Sequence, residues 1–168
     1  MHLERCERIV SVAREHYPRI AGAIAKATPT MAELVIRGGS LGILDRADVG
    51  VQHPARTPMF FGQLSINPRH VVPHAVADLA KAELAYLGSH PELRTSRKPE
   101  ARPHAFAAAV RGSERIIAFA GRAWTEEEAE FVVLAVMVAA GELDLVLAIR
   151  FARMGKNEFG RELENVVG

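Results

Sequence analysis

Cysteine is almost absent. Cys6 is the one thiol in 168 residues, so no internal disulfide can close and no cysteine-based zinc cluster can form. An excess of charge is absent too: 21 Lys and Arg against 20 Asp and Glu leave a formal charge of +1, too little to draw in nucleic acid or an anionic membrane. Aromatic residues make up 6%, and none is interleaved with the basic residues Arg94, Arg97, Lys98 and Arg102, which argues against a surface for single-stranded RNA. The longest apolar run, Phe131 to Ala140, is about half of what a membrane helix requires. Met1 to Arg8 mixes two acids with two bases where an export signal needs a basic end and an apolar core. No His-Glu-x-x-His, Cys-x-x-Cys or calcium-type acidic loop occurs, nor any internal repeat. These absences set the expectation of a cytoplasmic protein with no nucleic-acid partner, no membrane anchor, no metal site and one free thiol.

The residues that are present, 49% hydrophobic and 24% charged, suit one globular domain spanning 1–168. Ile9, Val12, Ala13, Ile20, Ala23 and Ile24 recur at helical spacing and predict an amphipathic helix from Leu3 to about Ala27, kinked at Pro18 and ended by Pro29. Residues 32–37 and 41–46 read as strands around Gly38-Gly39-Ser40, where adjacent glycines suit a hairpin turn. Pro54, Pro58 and Pro68 mark 47–73 as mostly loop, with one short strand near 59–66. A helix is expected from Pro73 to about Leu87, and 89–103, with Pro91, Pro99 and Pro103, reads as polar surface without core. Residues 105–110 and 115–120 form a second expected hairpin across Gly112. Thr125-Glu126-Glu127-Glu128 is a capping box, with Thr125 and Glu128 satisfying each other's amides, and starts a helix to Ala140 that is apolar on nearly every side. Gly141 ends it, and an additional C-terminal helix follows from Leu143 to about Met154. The sum is an α+β fold: an antiparallel sheet built from two hairpins, flanked by helices.

Gly38-Gly39-Ser40-Leu41 followed by Arg46-Ala47-Asp48 resembles the Gly-Gly-x-Leu-x4-Arg-x-Asp segment of the GlcG/HbpS-like haem-binding (haem-degrading) family. The later order is similar as well: a helix with Lys81-Ala82, a hairpin turning at Gly112, Ile116 to Gly121, then a helix with an acidic start at Thr125. The chain departs from the family pattern at Ile36-Arg37, where an Asp precedes the glycine pair, and at Ala101 to His104, where a second glycine pair stands. The resemblance implies a non-enzymatic, oligomeric protein that binds a small ligand, with haem as the cofactor. The alternative is an oligomeric scaffold or interaction module with no small ligand.

Seven histidines supply the candidate nitrogen ligands. His70 and His74 are four apart, the spacing of two ligands on one helix face, although Pro73 places His70 before the helix; both also read as solvated residues at a helix start. In the binding reading the site lies where the loop 47–73, with His53 and His70, meets the hairpins. Arg46 is its neighbour, either pairing with a propionate or carboxylate of the ligand or bridging to Asp48 or Asp45. No nucleophile frame surrounds Ser40 or Cys6, so no catalytic residue is assigned. The apolar helix 131–140 needs cover on all sides, and the expected source is a second subunit.

Overall fold

A computed structural model describes residues 2–27, 38–49, 58–67, 72–97, 106–121 and 124–167. Helix α1 (Leu3–Ala27) buries Cys6, Ile9, Val10, Ala13, Tyr17, Ile20, Ala21 and Ile24, a stripe at spacings of three and four that the apolar residues impose. The helix continues through Pro18, which lies on its exposed side. Strand β1 (Gly39–Asp45) follows, then a single helical turn α2 (Arg46–Val49), strand β2 (Phe60–Leu64) and helix α3 (His74–Gly88). Strands β3 (Ala107–Arg111) and β4 (Arg115–Ala120) precede helix α4 (Glu126–Ala139), helix α5 (Leu145–Met154), a 3-10 turn at Glu158–Glu162 and a last turn of helix, α6 (Leu163–Val167).

The sheet has the order β2-β1-β4-β3, and all its pairings are antiparallel. The protein is therefore α+β. The hairpin across Gly112 stands as the sequence indicates, closed by Gly112 N–H donating to the Arg115 carbonyl at 2.8 Å. The first strand pair is different. Gly39 and Ser40 are not a turn: they open β1 and pair with Leu64 and Gln63 of β2, so the partner strand comes from 60–64 instead of 32–37. On its other side β1 pairs with β4 from Ser40 to Asp45, and residues 32–37 lie outside the described residues. Of the two glycines only Gly38 has a positive φ, +83°.

Strand residues alternate between two cores, as the two-residue period of a strand requires. Leu41, Ile43, Ala108, Val110, Ile117 and Phe119 face α1 and α4. Leu44, Ala107, Ala109, Ile116 and Ala118 face α3, which buries Val76, Ala80, Leu84 and Leu87 against them. Because helices cover both faces, β1 and β4 are buried at every position, which explains strands without a polar side.

The Thr125 capping box is present in both directions. The Glu128 amide donates to the Thr125 hydroxyl at 3.0 Å, and the Thr125 amide donates to Glu128 Oε1 at 2.9 Å. Every residue of α4 from Glu128 to Met137 is buried, and the cover comes from β3, β4, α1, α5, α6 and the 3-10 turn. A second subunit is not needed to shield this helix. Gly141, at φ +76°, closes the end of α4. Asp144 caps α5, accepting from the Val146 amide at 2.8 Å.

Candidate functional site

Of the sequence-based site, the two described members, Arg46 and His74, lie apart. His74 is the first residue of α3, is exposed, and lines a groove of about 330 Å³ with Arg14, Ser40, Phe61 and Val72. Arg46 sits beyond the far end of β1, where its Nη1 donates to the carbonyls of Gly112 at 2.9 Å and Ser113 at 3.0 Å. Seven strand residues separate the two ends, on the order of 20 Å at the usual rise per residue. Arg46 thus fastens the β3–β4 turn to β1, and Asp45 is held by Arg115 instead. His53 and His70 lie outside the described residues.

Haem requires an apolar slot around the ring as well as an axial ligand. His74 offers one imidazole at an exposed rim, and Arg14, the neighbouring cation, already donates to the Gln63 carbonyl at 3.0 Å. Among the described residues no group of three or more His, Cys, Asp or Glu converges on one point. The described lining supplies a ligand atom but does not enclose the macrocycle.

A better-formed cleft lies where the sequence suggested only polar surface. Residues 93–97 run along the free edge of β3: the Ser96 amide donates to the Ala109 carbonyl at 2.9 Å, and the Arg111 amide to the Arg94 carbonyl at 2.8 Å. The Ser96 hydroxyl, fully buried, accepts from the Ala109 amide at 2.8 Å. Arg111 fastens the preceding loop through the carbonyls of Leu87, His90 and Leu93. Burial lowers its guanidinium pKa, the Arg46 charge lowers it further, and Glu92 opposes both. Local sequence concealed this strap because its edge pairing is made to a strand beyond the prolines; Thr95, a strand-compatible residue, is the one local signal.

The strap lays Thr95 and Arg97 over Glu130 of α4. Thr95 Oγ1 donates to Glu130 Oε2 at 2.7 Å, Asn157 Nδ2 donates to Oε1 at 3.0 Å, and Arg97 Nη1 lies 3.5 Å from Oε1 while donating to the Gly155 carbonyl at 2.6 Å. A buried carboxylate persists when it is paired in this way. Beside it opens a cleft of about 410 Å³ whose lining includes Leu93, Val110, Leu134 and Phe151. Val110 and Leu134 are buried core residues. The Arg94 guanidinium carbon lies over the Phe151 ring, 5.2 Å from its centre. A larger hollow, about 710 Å³ near the start of α4, is lined mainly by charged side chains of both signs, such as Lys26, Glu127, Glu158 and Arg161, beside Ala23, Ala27 and Phe159.

A second polar cluster closes the opposite end of β1. Arg115 Nε lies 2.8 Å from Asp45 Oδ1 and its Nη1 2.8 Å from Glu142 Oε1, while Arg5 Nε reaches the same Glu142 oxygen at 3.2 Å. Cys6 is fully buried nearby. Burial pushes its thiol pKa up, and the Asp45 and Glu142 carboxylates add to the rise against the opposing Arg115 charge. We therefore expect Cys6 in the native protein to resist a thiol reagent at about pH 8, with reaction growing only as pH climbs above the ordinary thiol range, and to react at once in denaturant. Prompt native labelling at that pH would show that the α1 start does not seal this cluster.

No family model, no curated protein and no solved structure matches the chain. Function is therefore read from the cleft and its chemistry. Among the described residues no helix is long and apolar enough to cross a membrane.

Proposed function

We propose that the protein is a small-ligand-binding module that holds its ligand in the cleft between residues 93–97 and α5. The observation that carries this reading is an apolar lining of Leu93, Val110, Leu134 and Phe151 beside a buried, fully partnered Glu130. Such a combination, within the range of about 300–1,000 Å³, is the usual character of small-molecule sites. Binding is favoured over catalysis because both Glu130 oxygens are engaged in holding Thr95, Asn157 and Arg97, which leaves the carboxylate positioned to support the cleft.

Association between copies belongs to the same proposal. Val146 is 66% exposed and Met154 is 69% exposed on α5, and Met154 also lines the cleft. This surface equally favours the second reading, an oligomeric scaffold with no small ligand. Haem, the ligand that the sequence resemblance to the GlcG/HbpS-like family implies, has His74 in its favour.

One set of measurements separates these readings. Ligand binding in the cleft predicts small amphiphiles that raise the melting temperature of the parent protein but not of Leu93→Trp, whose indole would fill the cleft. Light scattering should give a mass above that of one chain, reduced by Val146→Asp; a monomer at micromolar concentration would remove the assembly part. Addition of haemin with a shifted Soret band that His74→Ala abolishes would move the site to the His74 groove and overturn the cleft. Failure of every probe, together with a stable oligomer, would leave the scaffold as the account.

A further inference from the structure

We infer that the ligand of this cleft is a small amphiphilic anion, a carboxylate head on an apolar body. The inference rests on the cleft being the binding site and adds the charge of what it binds. Four charged residues line the cleft: Glu92, Arg94, Arg97 and Glu130. Arg97 and Glu130 face each other and cancel. Glu92 is exposed at the rim, where solvent screens its charge. Arg94 is left over. Its guanidinium lies on the Phe151 ring, and among the described residues no carboxylate pairs with it.

A guanidinium held over an aromatic face by its charge spends no hydrogen bond on an acceptor there, so its N–H donors remain available to a ligand. Two of those donors match the two oxygens of a carboxylate in parallel hydrogen bonds. The apolar side chains of the lining, Leu93, Val110, Leu134 and Phe151, then take the body of the ligand. An ammonium head finds the reverse situation. It meets the Arg94 charge, and the one buried carboxylate already has Thr95, Asn157 and Arg97 as partners. A neutral head gains the apolar contacts but leaves the guanidinium without its anion.

The test uses three probes of equal chain length, octanoate, octan-1-ol and octylammonium, titrated into the full chain while the Met154 methyl resonance is followed by NMR. The expected result is octanoate binding about tenfold or more tightly than octan-1-ol, the size of one charge-assisted interaction, with octylammonium weakest. Arg94→Gln should erase the preference for octanoate and leave octan-1-ol unchanged; Arg94 is exposed, so the variant should melt with the parent. Equal binding of octanoate and octan-1-ol to the parent would overturn the anion while leaving the cleft in place. Tighter binding of octylammonium would also overturn it. If no probe moves the Met154 signal, or if Leu93→Trp binds all three as the parent does, the cleft itself fails and the inference falls with it.

Discussion

Replacing Arg115 by alanine is expected to lower stability by about 3–5 kcal/mol, the usual cost of removing one partner from a buried ion pair. Its side chain is 6% exposed and lies between Asp45 and Glu142, which are 7% and 3% exposed. Without it, two carboxylates remain close together in a region that water does not reach, and Arg5, at 32% exposure, pairs with Glu142 alone of the two while also donating to the Ala140 carbonyl. Such a loss is a large share of the roughly 5–15 kcal/mol that holds a domain together. Arg115→Lys should recover only part of it, because one ammonium cannot sit as close to two separate acids as the two guanidinium nitrogens, each 2.8 Å from its carboxylate. Adding Asp45→Asn and Glu142→Gln to Arg115→Met should recover most of it, since the uncompensated charges are then gone. Urea denaturation at neutral pH with an unchanged slope measures all three. A loss below about 1 kcal/mol for Arg115→Ala would place the cluster in solvent contact.

Gly39→Val is expected to cost about 3 kcal/mol, at the upper end of overpacking in a close-packed core. A Cβ on Gly39 would run into the Ala120 carbonyl oxygen and stand 2.6 Å from Cζ of Phe119. Neither neighbour can yield: Ala120 belongs to β4, and Phe119 is locked edge-on against Trp124 with ring centres 5.3 Å apart. Gly22 is the control of opposite sign. It lies inside α1 with nothing within 4 Å of where a Cβ would be, so Gly22→Ala should gain about 0.5–1 kcal/mol from helix propensity. Thermal unfolding of both variants decides the matter. A Gly39→Val protein melting with its parent would mean that β1 and β4 do not approach here as described.

The two glycines hold structural positions whose cause a local reading mistakes. Adjacent glycines before an apolar run look like a turn, because turns are where a local reading meets positive φ. In the fold, Gly38 does take positive φ, and its carbonyl accepts from Trp124 Nε1 at 3.3 Å. Gly39 is needed for a different reason, the close approach of Phe119 and Ala120. A Cβ on Gly38 would run into the Leu64 carbonyl, 26 positions on, and Gly39 meets residues 80 and 81 positions on, all beyond any local window. Sequence separation also conceals the cleft: Thr95 and Asn157 lie 35 and 27 positions from Glu130, in a strap and a C-terminal loop that share no sequence pattern with its helix. Arg46 stands out in the sequence by its place in a motif, yet its contacts are made with two carbonyls of the β3–β4 turn.

By itself the sequence determined what depends on neighbours within a few residues. The capping box at Thr125 and Glu128, the amphipathic stripe of α1, the tight hairpin at Gly112, and the α+β class with its antiparallel sheet follow from hydrogen bonds and periodicities of three to five residues. Tertiary structure alone decided which strand sits beside β1, that α4 is covered from within one chain, that 93–97 pairs with β3, and that Glu130, Thr95 and Asn157 meet beside an apolar cleft. Strand order and long-range contacts are chosen by the collective burial of apolar surface and the satisfaction of every buried polar group at once, and neither quantity is defined until the whole chain has folded.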